Sequence, residues 1–389
     1  MIAEYLGLRR NVVLLLAAIV MVGAGEELWM RFVPKYLEVL GAGTFAIAFY
    51  DGMMTALAAL YAYPGGVVSD RWGHRRAFVS FSLVSMAGYA LMLAWPRWEA
   101  ALAAMFLFTA WANLSLPAMF SLVAANLPSN KLVMGIGVQS LVKRAPIIVG
   151  PVVGGMLLDA YGVVEGTRIG LAVCLVLSAG ALALESRIDA TGEVRNQGRP
   201  EFWRVVRGFD ARLRSLLVSD ILVRFCERIP AAWIVIYAMN EVQASAAEVG
   251  MLTALEMAVA MLCYIPVSHW ADQGDKKPFV LATFGFFTLF PVALAFSGSV
   301  AMLAVAFVIR GLKEFGDPSR KALIVSYARP EERGAVVGAY YLIRDLAVSM
   351  GALVGGLLWA VSPRANFWAA AAVGAAGSLY YWVSMRDNS

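Results

Sequence analysis

Long apolar stretches, separated by short polar or glycine-containing turns, recur from one end of the 389-residue chain to the other. A helix needs about 20 residues to cross the hydrocarbon core of a bilayer, and many of these stretches are long enough. The pattern therefore predicts twelve membrane-spanning helices, numbered here as spans 1 to 12. In chain order they cover residues 11–39, 43–69, 76–95, 98–126, 131–159, 166–185, 215–242, 246–271, 277–296, 299–328, 333–361 and 366–385.

A polar segment in the middle of the chain interrupts this rhythm. Residues 186–214 contain seven arginines. Within this segment, residues 201–212 have an amphipathic, helix-like pattern. Such a segment is typical of a linker that lies on the membrane surface. We therefore predict an N-terminal six-helix half over residues 1–185, a cytoplasmic linker over 186–214, and a C-terminal six-helix half over 215–389.

Basic residues are distributed unequally between the two predicted sides of the membrane. With the amino terminus in the cytoplasm, 20 Lys and Arg side chains fall on the cytoplasmic side, Arg320 among them, and four fall on the opposite side. Cytoplasmic loops of membrane proteins carry an excess of basic residues. We therefore expect both termini in the cytoplasm, in a membrane of the prokaryotic inner-membrane type. The net charge of +5 then needs no nucleic-acid partner.

The composition agrees with a chain that lies mostly within a membrane. Hydrophobic residues make up 60% of it and charged residues 15%, whereas soluble domains carry about 25% charged residues. Cys174, Cys226 and Cys263 lie inside apolar stretches without a C-x-x-C pair, and each of the two histidines lies beside a short loop. We therefore expect neither a disulfide framework nor a metal centre. Without a nucleophile–base pair or a phosphate-binding loop, we also expect no enzyme and no cofactor.

The two halves of the chain are related by a repeat with an offset of 201 residues. Chance readily aligns glycines in a glycine-rich chain, but less readily a proline, a tyrosine and two charged positions at one offset. The sequence therefore predicts a parallel six-plus-six repeat, an arrangement in which substrate sites lie near the membrane midplane between the halves. The coinciding landmarks are Glu26 with Glu227, Tyr36 with Tyr237, Pro117 with Pro318, Lys143 with Arg344, and Gly150, Gly154 and Gly155 with Gly351, Gly355 and Gly356.

Three short motifs resemble those of one family of membrane proteins. Residues 66–76, G-V-V-S-D-R-W-G-H-R-R, resemble the G-x-x-x-D-R-x-G-R-R signature of the major facilitator superfamily. Residues 150–155, G-P-V-V-G-G, resemble an element commonest in its proton-coupled antiporters, and residues 329–334 are similar to its P-E-E-R-G turn. The resemblance covers the whole chain and implies an all-α fold of twelve transmembrane helices in two pseudo-symmetric six-helix bundles. The sequence departs from the signature at His74 and in the second-half copy of the loop, which is one residue short.

The motif around Asp70 has a physical rationale of its own. A carboxylate at a helix end can accept hydrogen bonds from the N-terminus of a neighbouring helix, and Gly73 permits a tight turn. Such contacts would hold the halves in one state and break in the other, while the basic residues around them also anchor the topology. The residues predicted to act in gating are Gly66, Asp70, Arg71, Gly73, Arg75, Gly150, Pro151 and, from the second-half copy of the loop, Asp272.

Ten charged residues are predicted to lie near the middle of the bilayer. Each costs about 2.5–3.5 kcal/mol at a helix centre on insertion scales, so they must face one another or a water-filled cavity. The resemblance implies that spans 1, 4, 7 and 10 line a central cavity, with spans 5 and 11 beside them. The ten residues are Glu26, Glu27, Lys143, Arg144, Glu227, Arg228, Lys313, Glu314, Arg344 and Asp345.

Helical spacing predicts which charged residues form structural ion pairs. Side chains four residues apart are neighbours on one face of a helix. We therefore expect salt bridges that hold the fold together between Asp220 and Arg224, between Arg310 and Glu314, and between Lys313 and Asp317.

Glu26 and Glu27 are the leading candidates for proton coupling. They are adjacent in the middle of span 1, where only Arg31 of the same span is near enough to compensate them. Desolvation and a like-charged neighbour both favour the protonated form of a carboxyl group. A carboxyl group that exchanges a proton at the midplane is what proton coupling requires, and Glu227 and Asp345 are further candidates.

The basic residues of spans 5 and 11 are the leading candidates for holding an anionic part of a substrate, because arginine offers two parallel hydrogen bonds to a carboxylate or phosphate. Pairing of Arg344 with Asp345 or Glu227 is an equally good interpretation. Some aromatic residues, including Trp111, are candidates to line the cavity, although such residues more often pack within the protein. The predicted substrate-binding set is Lys143, Arg144, Arg228, Lys313, Glu314, Arg344, Asn113 and Trp29.

The leading hypothesis for function is a secondary active transporter that moves a small, charged organic solute by alternating access, driven by protons. Export in exchange for protons is favoured, mainly because residues 150–155 resemble the antiporter element. Two alternatives stay open: import of an organic anion together with protons, and, in another class, a lipid flippase or membrane-embedded enzyme. The expected partners are the solute, protons and the lipid bilayer, and the expected state is a monomer. The solute is not identified, since a balanced set of charges suits zwitterions, anions and cations.

Overall fold

The structure is almost entirely α-helical in the part of the chain that it describes. The computed structural model describes residues 10–115, 118–119, 122, 132–189, 202–272, 276–328 and 333–386, and among these the side chains of residues 63, 70, 132–143, 264–272, 385 and 386 are not described. No β-strand occurs within these ranges. Seven segments in them are long and apolar enough to cross a membrane, and they lie in predicted spans 1, 2, 3, 6, 8, 9 and 11.

Eight of the predicted spans form uninterrupted helices. Leucine, alanine and methionine, which favour helices, are abundant in them, and a helix satisfies its own backbone polar groups within a bilayer. The helices are Thr44–Trp72 for span 2, His74–Ala94 for span 3, Leu132–Tyr161 for span 5, Val163–Glu185 for span 6, Ala246–Asp272 for span 8, Lys277–Phe296 for span 9, Arg333–Val361 for span 11 and Pro363–Arg386 for span 12.

Spans 1, 4, 7 and 10 are each divided into shorter helices. Span 1 consists of Arg10–Glu27, a 3-10 turn Met30–Phe32 and the helix Val33–Val39. The helices of the other three are Trp98–Phe108 and Ala110–Leu114 in the described part of span 4, Ala211–Arg228 and Trp233–Asn240 in span 7, and Val300–Leu312 and Asp317–Ser326 in span 10.

A proline lies within or just after the interruption in spans 1, 7 and 10. Pro34 and Pro318 lie in the first turn of the second helix of spans 1 and 10, and Pro230 lies between the two helices of span 7. Proline has no backbone N–H and its ring clashes with the carbonyl of the preceding turn, so a helix that reaches it ends or bends. The interruptions therefore leave backbone groups outside helices next to the charged residues of these spans.

The chain divides into two compact units, and each unit is made of more than one segment of the sequence. Unit 1 comprises the described residues of Met1–Ala42, Leu57–Gln197 and Ser245–Met251. Unit 2 comprises those of Gly43–Ala56, Gly198–Ala244 and Leu252–Ser389. The first residues of span 2 thus belong to unit 2, and the first residues of span 8 belong to unit 1.

The linker contributes to the apolar core of unit 2. Its described part forms the helix Phe202–Arg207, so the amphipathic stretch predicted over residues 201–212 is not a single helix. Val205 and Phe209 are buried in a cluster with residues of spans 7, 9, 10 and 11, whereas Trp203 is exposed.

Candidate functional site

The offset of 201 residues reappears as matched contacts in the two units. In unit 1, Gly154 of span 5 lies so close to the carbonyl oxygen of Leu28, at the interruption of span 1, that a methyl group would overlap it. In unit 2, Gly355 of span 11 lies in the same way against the carbonyl oxygen of Ile229, at the interruption of span 7. Both residues of the second contact stand 201 positions after those of the first. The repeat is therefore structural as well as sequential.

The same glycine-rich stretch of span 5 also contacts the start of span 8 within unit 1. A methyl group at Gly155 would overlap the carbonyl oxygen of Ala246, and one at Gly250 would overlap that of Pro151. Gly150, on the side of span 1, lies against the Cβ of Glu27. Residues 150–155 thus form a tight seam, called the span 5 seam below, with span 1 on one side and the first turns of span 8 on the other.

Asp159, just beyond the seam, binds the N-terminus of span 8. Its Oδ1 accepts a hydrogen bond from the backbone N–H of Ala246 at 2.8 Å, and its Oδ2 accepts one from Ala247 at 2.9 Å. A carboxylate in this place satisfies N–H groups that have no partner inside the helix and interacts favourably with the helix dipole. The sequence gives no signal for this role of Asp159, because its partners are backbone groups 87 and 88 residues away.

The junction between spans 2 and 3 is shorter than the predicted loop. The helix of span 2 extends to Trp72 and that of span 3 begins at His74. Only Gly73 lies between them, and its φ of 79° is a conformation that glycine adopts without steric cost. The chain therefore turns at a single residue, and most of the signature motif is helical.

The other predicted gating residues lie on both sides of this turn. Gly66 is buried in the helix of span 2, whereas Arg71 and Arg75 are exposed. The side chains of Asp70 and Asp272 lie outside the described residues, so the latch predicted for them stays a prediction.

Glu26 lies at the end of the first helix of span 1 and is hydrogen-bonded to a neutral side chain. The hydroxyl group of Tyr89, from span 3, donates to Oε1 of Glu26 at 2.6 Å. The ring of Trp29 packs edge-to-face against those of Tyr89 and Phe108, with centroids 6.0 and 5.2 Å away. Trp29, predicted to contact substrate, is fully buried in this packing and exposes no surface.

Glu27 is the second half-buried carboxyl group at this interruption. Within the described side chains, neither Glu26 nor Glu27 has a cationic group within 4 Å. Lys143, predicted near the same level, has no described side chain, and Arg144 is half-buried and interacts with other groups.

A third carboxyl group of unit 1 lies at the end of span 6. Glu185 is fully buried, and the Ser82 hydroxyl group of span 3 and the Trp111 indole N–H of span 4 each lie 2.6 Å from one of its oxygens. No cationic side chain that the structure describes lies within 4 Å of it. Sequence analysis missed Glu185, because a glutamate next to a polar linker has the pattern of a residue at a span boundary.

A buried carboxylate is the centre of an ion-pair network in unit 2. Oδ2 of Asp220, which is fully buried, lies 2.5 Å from Arg320 and 3.4 Å from Arg344, and it accepts a hydrogen bond from the Tyr340 hydroxyl group at 3.1 Å. The predicted pair with Arg224 is present at 3.9 Å. Arg320, counted above among the cytoplasmic basic residues, is 2% exposed and pairs with Asp220 and with Asp317 at 2.5 Å. The side of the membrane on which it lies stays a prediction.

The network continues through spans 7, 8 and 10. Glu227 lies 2.6 Å from Lys313 and 3.0 Å from Arg224, so two cations hold its carboxylate. Glu256 of span 8 lies 3.2 Å from Arg310 and 3.4 Å from Lys313. Sequence analysis missed Glu256, which is isolated in an apolar span and has no partner at helical spacing.

The two ion pairs predicted within span 10 are wrong. The first helix of the span ends at Leu312 and the second begins at Asp317, so the spacing of four residues no longer brings side chains to one face. Arg310 and Lys313 instead bind carboxylates of other spans. Glu314 lies in the turn between the helices, half-buried, and no ion pair with a described side chain is formed by it.

Two further residues predicted to bind substrate have acidic partners within unit 2. Nε of Arg228 lies 3.1 Å from Oδ2 of Asp51, and its Nη2 donates to the backbone oxygen of Asp51 at 3.0 Å. Arg344 binds the adjacent Asp345 at 2.7 Å, which is one of the interpretations left open above. In unit 1, the side-chain amide of Asn113 donates to the backbone carbonyl four residues earlier in span 4, at 3.1 Å.

The described residues offer no obvious metal site. Among them, no group of three or more His, Cys, Asp and Glu side chains has an arrangement that could hold a metal ion. Cys174 and Cys226 are buried and Cys263 is half-buried, and all three are free thiols.

The buried carboxyl groups of the two units therefore have different partners. In unit 2, Glu227 and Glu256 are bound to cations, whereas in unit 1 Glu26 and Glu185 are bound to neutral donors. Protonating an ion-paired carboxylate leaves a buried cation without its partner, which costs several kcal/mol. A carboxyl group among neutral donors changes its protonation state without that cost. Of these four carboxyl groups, the two in unit 1 are therefore better suited to proton exchange.

The whole length of the chain matches known membrane transporters in sequence. A family model described as Major Facilitator Superfamily matches residues 15–226 and again residues 216–389. The multidrug resistance protein MdtG of Dickeya zeae is 23% identical, with 98% of this chain and 96% of that protein aligned. The multi-drug resistance efflux pump PmrA of Streptococcus pneumoniae is 26% identical over 36% of each chain.

Solved transporter structures share the fold. A point mutant of the nucleoside transporter NupG superposes with a TM-score of 0.81 at 11% identity, covering 96% of this chain and 99% of that one. A bacterial homologue of the human lysosomal transporter Spinster, solved in an inward-facing conformation, gives a TM-score of 0.78 at 14% identity, covering 97% and 96%. At these identities the likeness shows the fold alone.

Proposed function

Because this chain belongs to the major facilitator superfamily and is an integral, multi-pass membrane protein, we propose that it exports small organic solutes in exchange for protons. Two halves related by a repeat alternate access to a site between them in such transporters. The multidrug resistance and efflux proteins that the chain resembles support export. The proposed location is a bacterial cytoplasmic membrane, with both termini inside.

The hydrogen bond between Glu26 and Tyr89 is the observation that carries the proposal. Glu26 stands where the first helix of span 1 ends, and its nearest described partner is a neutral hydroxyl group at 2.6 Å. Burial away from water favours the neutral form of a carboxyl group, and a hydroxyl group can partner either form. Glu26 is thus placed to take up a proton in one state and release it in another.

The nature of the solute is proposed from the remaining charges. The basic residues predicted to hold an anion in spans 7, 10 and 11, which are Arg228, Lys313 and Arg344, all have acidic partners. Glu27 and Glu314 are half-buried and form no ion pair with a described side chain. This balance favours a cationic or neutral solute over the organic anion of the alternative hypothesis.

Transport by the purified protein in liposomes tests the proposal. We expect ethidium to accumulate in the vesicle lumen when the lumen is acidic and the membrane potential is held at zero, because protons leaving the lumen drive the cation in. Glu26→Gln should abolish this uphill accumulation and preserve downhill exchange of ethidium, since binding and rocking require no titration at that position.

Glu227→Gln is the matched control, because Glu227 stands at the equivalent position of the repeat but is bound by Lys313 and Arg224. It should lower the thermal stability of the protein without uncoupling the molecules that remain folded. If E26Q still concentrates ethidium against its gradient, Glu26 is not the coupling residue. Accumulation of an organic anion driven by an alkaline lumen, with none of ethidium, would instead support import with protons.

A further inference from the structure

One face of span 3 contacts two carboxyl groups of unit 1. Ser82 and Tyr89 are seven residues apart, which is about two helical turns, so both lie on the same face. Ser82 is hydrogen-bonded to Glu185 and Tyr89 to Glu26, each at 2.6 Å. We propose that Glu185 is a second proton-binding site. Through it, Glu26 exchanges its proton with the solution at the C-terminal end of span 6. The inference rests on the proton coupling proposed above.

The two hydrogen-bond partners of Glu185 are compatible with either protonation state of its carboxyl group. Oε1 accepts from the indole N–H of Trp111, which can only donate, at 2.6 Å. Oε2 lies 2.6 Å from the hydroxyl oxygen of Ser82, which can donate or accept. The acid proton of Glu185 on Oε2 therefore has an acceptor in Ser82. When the proton leaves, the Ser82 hydroxyl group turns and donates to the carboxylate, so that both protonation states have partners.

The surroundings of Glu185 contain no described counter-ion. The residues packed around this end of span 6 belong to the apolar cluster of unit 1, among them Ala181 and Ile188. Described charged or titratable side chains near the same ends of spans 1, 3, 5 and 6 and at the start of the linker are Arg10, His74, Arg75, Arg76, Arg144, Arg187 and Asp189. Arg10, Arg75, Arg76, Arg187 and Asp189 are exposed, and none of the cationic groups has a described ion pair with Glu185. An isolated buried charge is costly, and the described side chains supply no cation that would offset it.

Polar groups continue from Glu185 toward Glu26. Ser178 stands seven residues before Glu185 on the same face of span 6, and its hydroxyl group is buried without a described hydrogen-bond partner. The distance of seven residues is about 10 Å along a helix, which is too far for direct transfer but short enough for a relay through hydroxyl groups and water. Ser178 and Tyr89 are the protein groups available for such a relay.

Span 4 links this site to conformational change. Trp111 follows the interruption of span 4 at Thr109, and its backbone N–H donates to the Ser85 hydroxyl group of span 3 at 2.8 Å. A movement of the second helix of span 4 relative to span 3 would break the bond between the indole and Glu185. The carboxyl group would then lose a donor, so its affinity for the proton changes with the position of span 4.

Glu185→Gln tests the site, because the amide keeps an acceptor for Trp111 and a partner for Ser82. In the ethidium assay we expect proton-driven accumulation to slow about ten-fold, while ethidium exchange at equal pH on both sides stays within two-fold of the unchanged protein. Infrared spectroscopy provides a readout that is independent of transport. The carbonyl band of one protonated carboxyl group, recognised by its shift in D2O, should be missing from the spectrum of E185Q.

Glu165→Gln is the matched control, since Glu165 is exposed and paired with Arg168 at 2.8 Å, and it should change neither readout. An unchanged infrared band in E185Q would show that Glu185 binds no proton, and unchanged uphill transport would remove it from the proton path. A parallel loss of exchange and uphill transport would assign it a structural role. If the unchanged protein accumulates no ethidium, the proposed function fails while the infrared result still decides the proton site. Should E185Q not fold, Ser82→Ala removes the acceptor and is expected to slow the same step.

Discussion

Removing the carboxylate of Asp159 should loosen the start of span 8 from the span 5 seam. In Asp159→Ala, the N–H groups of Ala246 and Ala247 lose the two hydrogen bonds that tie them to span 5. Replacing a helix N-cap by alanine costs about 0.5–2 kcal/mol. One of the two N–H groups is partly buried and the other is exposed, so we expect about 1–2 kcal/mol. Local opening of the seam then becomes about 5 to 30 times more frequent, since 1.4 kcal/mol is a factor of ten.

The reactivity of a cysteine at position 246 measures this opening. Ala246 is 1% exposed, and its hydrogen bond to Asp159 is made by the backbone, so Ala246→Cys keeps the contact. The rate of labelling by a membrane-impermeant maleimide should rise about 5- to 30-fold when Asp159→Ala is added, if opening precedes labelling. The parent protein without this cysteine gives the background from the three native thiols, of which two are buried.

Two variants distinguish loss of the contact between Asp159 and span 8 from simple fraying of the first turn of span 8. Asp159→Asn keeps one oxygen acceptor but places an amide NH2 group, which cannot accept, against the second N–H group, so labelling should rise by less than in Asp159→Ala. Glu248→Ala removes only the local cap, in which the Ser245 N–H donates to Glu248 at 2.8 Å. If Glu248→Ala accelerates labelling as much as Asp159→Ala does, the effect is fraying. If Asp159→Ala has no effect, the close backbone contacts of the glycines hold the seam without the carboxylate.

Two further predictions concern the ion pairs of unit 2. Asp220→Ala should lower the free energy of unfolding by about 3 kcal/mol, because it removes one of the two described carboxylates that hold the buried Arg320, the other being Asp317 at 2.5 Å. Thermal unfolding in detergent measures this. Tyr340→Phe, which removes one hydrogen bond to the same carboxylate, should cost only about 1 kcal/mol. Arg228→Ala should reduce the yield of folded protein more than the double variant Arg228→Ala/Asp51→Ala does. The single variant leaves the carboxylate of Asp51 without its partner, whereas the double variant removes both charges. Equal yields would show that the pair is not coupled.

The spans and the repeat could be predicted from the sequence because both depend on features of short sequence segments. The length of an apolar segment determines whether it can cross a bilayer. The glycines of spans 5 and 11 coincide at one offset because each of these spans lies close to an interrupted span. The interruptions themselves were missed, although Pro34, Pro230 and Pro318 provide a signal for them. Hydrophobic periodicity continues across a short break, so a count of apolar residues does not detect it.

The partners of the charged residues could not be predicted in the same way. Helical spacing identifies neighbours only on an unbroken helix, and it failed for Arg310 and Lys313 because span 10 is interrupted between residues 312 and 317. Glu256 and Glu185 find their partners on other spans, at separations set by packing between helices. Sequence distance carries no information about such contacts.

The repeat shows how two equivalent carboxyl groups come to differ. Glu26 and Glu227 occupy the same position in the two halves, but the position that holds Tyr89 in the first half holds Phe290 in the second. The first half therefore supplies a hydroxyl group to its glutamate, and the second half supplies none from that position.

The cations follow the opposite pattern. Lys313 and Arg224, which bind Glu227, correspond at the offset of 201 to Ala112 and Gly23 in the first half. Neutralising Glu227 would remove one carboxylate from two cations, which then keep only the described partners Glu256, Asp220 and Asp317. Neutralising Glu26 changes one hydrogen bond. Within one duplicated framework, differences at three positions thus give Glu227 two cationic partners and Glu26 a neutral hydroxyl partner. The proposed proton exchange at Glu26 should accordingly be lost when the two cations are introduced at positions 23 and 112, and uphill accumulation of ethidium in liposomes measures that loss.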